Sequence, residues 1–381
     1  MANKFCMMTC LKEIPLVVDG RTLSTVIGGS CLEDLSRMLR EESSLLIVYD
    51  NAVEVFAREI VSRLGRDVPS LGLSISEEEK SLSKVEEICR WLLSNEANRS
   101  SLLVAIGGGI LTDMAGFAAC IYKRGMRFAF VPTTLLSQVD AGIGGKTGVN
   151  FLDYKNMLGV IRQPEFTFSC PSVLRTLPYR DFLSGAAELL KTFILDRVEG
   201  ERNYPRAISL LKGIRKDMAA KEPSSPMGDT IDKYSGQLVE LIHSADAVKC
   251  RIVGQDQFEK GERRLLNLGH TFAHALEHEA RSCGDDLSHG EAVAIGMVMA
   301  FRLSAAMGLG REDPGRIEED FASCGLPTTC PYPLEKLLGA MTLDKKAEGG
   351  KVYFVIPRAI GDVVVEALTV EEALGNLKET L

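Results

Sequence analysis

The segment Leu102-Leu-Val-Ala-Ile-Gly107-Gly-Gly-Ile-Leu-Thr-Asp113 begins as an apolar run and continues into three consecutive glycines. A short apolar run that ends in glycine is typical of a buried strand in a parallel sheet. A helical pattern over 114–121 follows. This order predicts a nucleotide-binding turn, because glycines let the backbone approach a pyrophosphate that a helix N-terminus stabilises. The segment matches neither the Gly-x-Gly-x-x-Gly fingerprint nor a Walker loop, so a tight turn without a ligand is the alternative.

Two more apolar runs end in polar residues in the same way. The run at 45–49 is followed by Asp50, and the run at 127–131 is followed by Pro132, Thr133 and Thr134. Ligands of α/β sheets bind at such strand ends. Beyond about residue 170 the pattern changes to long helices, at 183–195, 237–253, 266–279 and 291–307. We therefore predict an N-terminal α/β nucleotide-binding domain with a Rossmann-like parallel sheet at 1–170, and a mainly α-helical metal-binding domain at 171–381.

Bulk properties restrict the class of protein. The 381 residues suffice for two domains of about 150 residues each. A net charge of -8 argues against a nucleic-acid-binding surface. The longest apolar run, at 292–301, is too short to cross a bilayer, and the N-terminus lacks the apolar core of a signal peptide. We expect a cytoplasmic protein that binds neither nucleic acid nor membrane.

Four of the five histidines fall between His270 and His289. His270, His274 and His278 are spaced at i, i+4 and i+8, which places them on one face of a helix. Ser288 and the glutamate three residues later form a capping-box pattern, so His289 would lie in the first turn of the next helix. Because histidine is the commonest metal ligand, this window predicts part of a metal site.

Glu188 is the best candidate for a third ligand. Apolar neighbours on both sides predict that it is buried, and a buried carboxylate needs a partner. With His270 and His289 it would form a His2Glu site with open positions, the pattern of catalytic zinc. Two alternatives stay open: His274 as a ligand, and an ordinary ion pair between Glu188 and Lys191.

A second group of residues indicates an anionic substrate. The glycine-rich stretch from Asp140 to Asn156 contains Lys146 and Lys155, and flexible glycines beside lysines suit a phosphate. Asp140 could receive a proton there. The alternative is a surface loop with solvated lysines. Further polar and cationic residues bracket the histidine window: Lys249, Arg263, Asn267, Lys345 and Lys346.

The chain resembles the 3-dehydroquinate synthase family of sugar-phosphate cyclases over about residues 100–360. Ordered blocks carry the resemblance, at 107–117, 122–125, 132–150, 177–191, 266–272 and 289–294. It implies a dehydroquinate synthase-like fold and a homodimer that uses NAD and zinc, or cobalt in place of zinc. The family has glycine where this chain has Tyr154, a departure that bears on substrate preference.

The resemblance also assigns residues to roles. The zinc ligands would be Glu188, His270 and His289. The NAD contacts would be Asp50, Glu77, Lys80, Gly108, Gly109, Asp113, Thr133, Thr134, Lys155 and Thr176. The catalytic and substrate-binding groups would be Asp140, Lys146, Asn156, Lys191, Lys249, Arg263, Asn267, His274 and either Lys345 or Lys346. Arg124 matches an arginine that reaches the neighbouring subunit's site.

The implied reaction belongs to the shikimate pathway of aromatic amino acid biosynthesis. The lyase would convert the phosphorylated sugar acid 3-deoxy-D-arabino-heptulosonate 7-phosphate to 3-dehydroquinate and phosphate. Transient oxidation by NAD would be followed by phosphate elimination, re-reduction and aldol cyclisation. Two alternatives are another sugar-phosphate cyclase and a metal-dependent NAD alcohol or polyol dehydrogenase.

Overall fold

The computed structural model describes residues 12–18, 20–28, 31–152, 154–343 and 351–378. The strands are β1 (Lys12–Val18), β2 (Arg21–Ile27), β3 (Leu45–Asp50), β4 (Ser70–Leu73), β5 (Leu102–Gly107), β6 (Arg127–Pro132), β7 (Lys146–Phe151), β8 (Tyr154–Ile161), β9 (Phe166–Ser169), β10 (Val352–Ala359) and β11 (Asp362–Leu368). The helices are α1 (Cys31–Arg40), α2 (Glu54–Leu64), α3 (Leu82–Ser94), α4 (Gly109–Ile121), α5 (Tyr179–Leu195), α6 (Gly200–Met218), α7 (Asp229–Gln255), α8 (His270–Cys283), α9 (His289–Ala306), α10 (Pro314–Cys324), α11 (Leu334–Leu343) and α12 (Val370–Lys378).

The chain divides into two compact units, Met1–Pro178 with Pro226–Gln257, and Tyr179–Ser225 with Phe258–Leu381. The first unit contains a seven-stranded sheet in the order β1-β2-β9-β6-β5-β3-β4. All neighbouring strands are parallel except β1 and β2. The predicted strands at 45–49, 102–106 and 127–131 correspond to β3, β5 and β6, next to one another in this sheet.

Both faces of the sheet are covered, which explains the continuous apolar runs. Along β5, Leu103 and Ala105 belong to one apolar core, which includes residues of α3 and α4. The alternate residues Leu102, Val104 and Ile106 belong to a second core, which includes residues of α1 and α2. A strand buried on both faces has no polar alternation, as parallel sheets with helices on both sides require.

The glycine-rich stretch that follows Asp140 is not the loop that its composition suggests. β7 and β8 pair in an antiparallel hairpin, with Gly148 opposite Gly159. A Cβ on Gly159 would lie 2.1 Å from the Thr147 carbonyl oxygen, and one on Gly148 would lie 2.5 Å from the Leu158 carbonyl oxygen. These glycines therefore permit a close approach of two strands, and from Lys146 onward the stretch forms a hairpin rather than the surface loop of the alternative.

The second unit is mainly helical. It comprises α5, α6 and α8–α12 with the antiparallel pair β10–β11. The predicted capping box is present, since the Ser288 hydroxyl accepts from the Glu291 backbone N–H and the Glu291 carboxylate accepts from that of Ser288. α9 consequently begins at His289, as expected. Among the described residues, no helix is both long enough and apolar enough to cross a membrane.

The long helix α7 is the main difference from the predicted division at residue 170. It follows α5 and α6 in the chain, yet it groups with the first unit, where it packs against β1. The amphipathic pattern of α7 does not indicate which unit its apolar face packs against. The extents of the functional domains, predicted at 1–170 and 171–381, stay a prediction.

Candidate metal and nucleotide sites

Three side chains of the second unit converge at the predicted metal site. Glu188 lies on α5, while His270 and His289 are the first residues of α8 and α9. One ligand atom from each lies within 4.8 Å of the others. His270 Nε2 lies 3.5 Å from Glu188 Oε1, and His289 Nε2 lies 3.3 Å from the same oxygen. Within the described part of the chain neither Glu188 oxygen has a hydrogen-bond partner, so the donor set suits a bound cation.

The charges around the cluster set its protonation. Burial opposes the ionisation of Glu188, but Lys191 and the nearby imidazoles outweigh it and hold the pKa of this carboxyl well below its usual value. Burial and the charge of Lys191 lower the pKa of His270 to about 3. Burial also disfavours charged His289, but the nearby carboxylates of Glu188 and Glu277 outweigh it and raise the pKa of His289 to about 10. A protonated His289 would have to lose that proton to bind a metal.

Backbone and side-chain acceptors orient the two imidazoles. His270 Nδ1 lies 3.1 Å from the Leu268 carbonyl oxygen, and His289 Nδ1 lies 3.2 Å from Glu277 Oε1. These contacts leave each Nε2 for Glu188 or a metal, an arrangement common around metal-binding histidines. Sequence analysis missed Glu277. Its contact with His289 comes from the next helix, so its own position on α8 gave no signal.

The other predicted residues of the second unit have distinct surroundings. Lys191 is buried and forms an ion pair with Glu188. The His274 side chain is exposed, and its ring centroid lies 5.7 Å from that of His270. Arg263 is buried, and Asn267 Nδ2 donates to Glu259 Oε1 over 2.6 Å. Among the described residues, the group of side chains that could hold one metal ion thus contains Glu188 rather than the alternative His274. Lys345 and Lys346 lie outside the described residues.

The first unit positions the predicted nucleotide contacts at the carboxyl ends of its central strands. Asp50 ends β3, and its carboxylate accepts from the Ala52 backbone N–H over 3.0 Å. Gly108 is the N-cap and Gly109 the first residue of α4, directly after β5. A Cβ on Gly108 would lie 3.2 Å from Thr134 Cγ2, so glycine keeps space open at this helix N-terminus. Thr133 and Thr134 follow β6, which pairs with β5. This edge fits a dinucleotide pyrophosphate.

Lys80 connects several of the predicted contacts. Its Nζ donates to Asp113 Oδ2 over 2.6 Å and to Asn156 Oδ1 over 2.5 Å. Burial raises the pKa of Asp113, although the charge of Lys80 acts in the opposite direction. Nearby, Asn150 Nδ2 donates to Glu77 Oε1 over 2.9 Å. The structure therefore brings together residues predicted for NAD and one predicted for substrate.

A second buried lysine of this unit pairs with Asp140. Lys249, on α7, donates to the Asp140 carboxylate and, over 2.5 Å, to its backbone carbonyl. Four other predicted residues also belong to the first unit: Arg124, Lys146, Lys155 and Thr176. Arg124 is exposed in a left-handed conformation with φ 66°, and Lys146 and Lys155 are exposed on the β7–β8 hairpin.

Family models for the N-terminal and C-terminal domains of 3-dehydroquinate synthase match residues 70–184 and 213–347. The 3-dehydroquinate synthase of Caulobacter vibrioides (strain NA1000 / CB15N) is 35% identical over 370 residues, covering 93% of this chain and 95% of that protein. The chain belongs to the 3-dehydroquinate synthase family. The resemblance inferred from the sequence blocks is thereby confirmed.

Solved structures share the fold. The 2-epi-5-epi-valiolone synthase of Streptomyces hygroscopicus subsp. jinggangensis 5008, solved with NAD+ and Zn2+ bound, is 27% identical with a TM-score of 0.79 and covers 96% of this chain and 98% of its own. A 2-deoxy-scyllo-inosose synthase, solved with carbaglucose-6-phosphate, NAD+ and Co2+, is 22% identical with a TM-score of 0.79, over 98% of this chain and 100% of its own. The predicted fold class, an α/β nucleotide-binding unit with a helical unit, is confirmed.

Proposed function

We propose that this protein is a 3-dehydroquinate synthase, a cytoplasmic lyase that eliminates phosphate from 3-deoxy-D-arabino-heptulosonate 7-phosphate and closes the ring of 3-dehydroquinate. The similarity to curated enzymes of this name along nearly the whole chain carries the proposal. It includes both units, so it accounts for the nucleotide-binding edge and the metal cluster together. The convergence of Glu188, His270 and His289 supports it independently.

The metal and the nucleotide would each use residues of one unit. Glu188, His270 and His289 would hold zinc, or cobalt in its place. The strand ends of the first unit would hold NAD through Asp50, Glu77, Lys80, Gly108, Gly109, Asp113, Thr133, Thr134, Lys155 and Thr176. The chemistry supplied by these bound groups would be Lewis acidity at a substrate hydroxyl and reversible acceptance of a hydride.

The remaining residues would bind and orient an anionic sugar acid. We assign the substrate carboxylate to Lys249 and Arg263, because an ammonium and a guanidinium are strong donors to a carboxylate. We assign the phosphate to Lys146, Asn156 and His274. Two of these assignments require local rearrangement, since Lys249 pairs with Asp140 and Asn156 accepts from Lys80. A substrate anion would exchange with these partners.

The other assigned residues would handle protons or complete the site. Asp140, paired with Lys249, would accept a proton and hold a hydroxyl. Lys191 and Asn267 would donate hydrogen bonds to ring oxygens, and Lys346 or Lys345 would add positive charge. The protein would act as a homodimer in which Arg124 reaches the second subunit's site. The exposure of Arg124 suits that role.

The experiment compares candidate substrates in the presence of NAD and zinc. With 3-deoxy-D-arabino-heptulosonate 7-phosphate, we expect release of phosphate and formation of 3-dehydroquinate in equal amounts. A carboxylate-free sugar phosphate such as glucose 6-phosphate should release none. Turnover of the carboxylate-free substrate alone would favour another cyclase of the family, and stoichiometric accumulation of NADH would favour a dehydrogenase.

A further inference from the structure

Three residues on one face of α5 contact three consecutive residues at the start of α9. Arg180, Ser184 and Glu188 are spaced at i, i+4 and i+8, so they form a stripe along the helix. Arg180 donates to both carboxylate oxygens of Glu291, with Nε–Oε1 3.2 Å and Nη2–Oε2 2.8 Å. The Ser184 hydroxyl accepts from the Gly290 backbone N–H over 3.0 Å. Glu188 meets His289, as described above. The metal ligand of α5 is thus the last member of a stripe whose first two members bind α9 directly.

Gly290 makes the middle contact unusually close. A Cβ at this position would lie 2.2 Å from Ser184 Cα and 2.4 Å from the Ser184 carbonyl oxygen. Both are backbone atoms that no side-chain rotation can move. Only glycine therefore allows the two helices to meet here, one residue after His289. Any larger side chain must move the first turn of α9 away from α5.

Arg180 also binds the segment that leads into α9. It forms an ion pair with the Asp286 carboxylate, and its Nη2 donates to the Asp286 carbonyl oxygen over 2.6 Å. Its other partner, Glu291, completes the capping box with Ser288. One guanidinium therefore holds the chain on both sides of His289. A planar fork with several donors is suited to this task, whereas an ammonium group is not.

We propose that Arg180, Ser184 and Gly290 are positioning residues that fix the first turn of α9 so that His289 Nε2 faces Glu188. They bind no metal themselves. They act by keeping two ligands from different helices at a fixed separation before the metal binds. The free-energy cost of ordering these side chains on metal binding is then lower. The inference rests on the metal site put forward under the proposed function.

The test measures metal affinity of the full-length protein by competition with a chelator, with Zn2+ and with Co2+ as the metals. We expect Arg180→Gln and Gly290→Ala each to weaken affinity by about 10- to 100-fold, the range for outer partners of metal ligands. The Co2+ absorption spectrum should change as well, because His289 would no longer hold its position. Arg180→Lys should resemble Arg180→Gln, since it keeps the charge but loses the fork.

Arg302→Gln is the matched control. Arg302 lies on α9 and pairs with Glu318 over 2.6 Å. The side chains of this pair are 23% and 29% exposed, similar to the 29% and 24% of Arg180 and Glu291. It should leave metal affinity unchanged. For Gly290→Ala the control is Gly375→Ala on α12, where a Cβ would meet nothing within 4 Å.

A Glu188→Ala variant distinguishes a failure of the positioning role from a failure of the metal site. If Glu188→Ala lowers metal affinity and Arg180→Gln behaves like Arg302→Gln, the positioning role is wrong and the metal site stands. If Glu188→Ala leaves metal affinity unchanged, the metal site itself is wrong. Circular dichroism of each metal-free variant checks folding. If Gly290→Ala does not fold, the comparison of Arg180→Gln with Arg302→Gln decides alone.

Discussion

Glu188 on α5 and Asp246 on α7 are both fully buried, and neither carboxyl has a hydrogen-bond partner within the described part of the chain. Their ionisation nevertheless differs in direction. Lys191 and two imidazoles outweigh the burial of Glu188 and hold its pKa well below the usual value. Burial dominates at Asp246 and raises its pKa well above 3.8, because the charge of Lys249 opposes it only in part. Lys249 also pairs with Asp140.

The difference separates the proposed metal ligand from an ordinary buried carboxyl. Burial without a hydrogen bond is common to both residues, so it does not identify a metal site. Glu188 differs because side chains that can neutralise its charge, or share a metal with it, come together around it from separate helices. Burial of a carboxyl that lacks such neighbours raises its pKa instead.

The largest effect should come from removing the carboxylate at the converging cluster. Glu188→Ala takes away one of the three proposed protein ligands and leaves His270 and His289 without their common partner. We expect its affinity for Zn2+ to fall by more than the roughly 100-fold that outer partners contribute. His289→Ala should have a similar effect. Metal content after dialysis measures the loss, and Glu201→Ala, an exposed carboxylate on α6, is the control. Unchanged metal content in both ligand variants would contradict the assignment.

Removing the cation beside Asp113 would create a second carboxyl without a compensating charge. Lys80, with a side chain only 6% exposed, is its cation. Lys80→Met should lower the free energy of unfolding by about 3 kcal/mol, because breaking a buried pair leaves one charge without its partner. Adding Asp113→Asn should recover most of the loss. Denaturant titration of the parent and of both variants measures the two effects. Equal destabilisation of the single and double variants would mean that the pair is not the cause.

Glu277 should contribute less than a direct ligand. Glu277→Gln keeps an acceptor near His289 Nδ1 but removes the negative charge that favours the correct tautomer. We expect Zn2+ affinity to fall about tenfold. Glu279→Gln, on the same helix, should leave it unchanged. The chelator competition described above measures both, and equal affinities of the two variants would exclude the role of Glu277.

The smallest effect concerns Asp246 and depends on pH. A carboxyl whose pKa is raised by folding stabilises the protein only while it is protonated, so the folded state loses stability as pH rises above the pKa of the unfolded chain. Asp246→Asn removes this loss. The variant should therefore gain stability relative to the parent between pH 4 and pH 8, by about 1 kcal/mol or more. Thermal unfolding at both pH values measures the gain. A pH-independent difference would show that Asp246 is not held protonated.

Several features of the fold and the site were predictable from the sequence. The apolar runs at β3, β5 and β6 identified the central sheet, because strands buried on both faces lack alternation. Histidine spacing and the Ser288 capping box located two of the three residues in the cluster. The apolar neighbours of Glu188 predicted its burial, and burial of a charged group requires a partner.

Other features depend on contacts that the sequence does not encode locally. Glu277 resembles an ordinary helical glutamate until α9 brings His289 next to it. The hairpin of β7 and β8 looks like a loop, because glycines serve flexible turns and close strand pairs equally well. α7 follows two helices of the second unit, and only its contact with β1 assigns it to the first.

The most direct test of the proposed chemistry follows one reaction with and without metal. Metal-stripped and zinc-reloaded protein receive 3-deoxy-D-arabino-heptulosonate 7-phosphate and NAD, while phosphate, 3-dehydroquinate and NADH are recorded together. We predict that only the zinc-reloaded protein forms phosphate and 3-dehydroquinate in equal amounts, with no net NADH. Absence of phosphate release from the reloaded protein, or one NADH accumulated for each substrate consumed, would contradict the account.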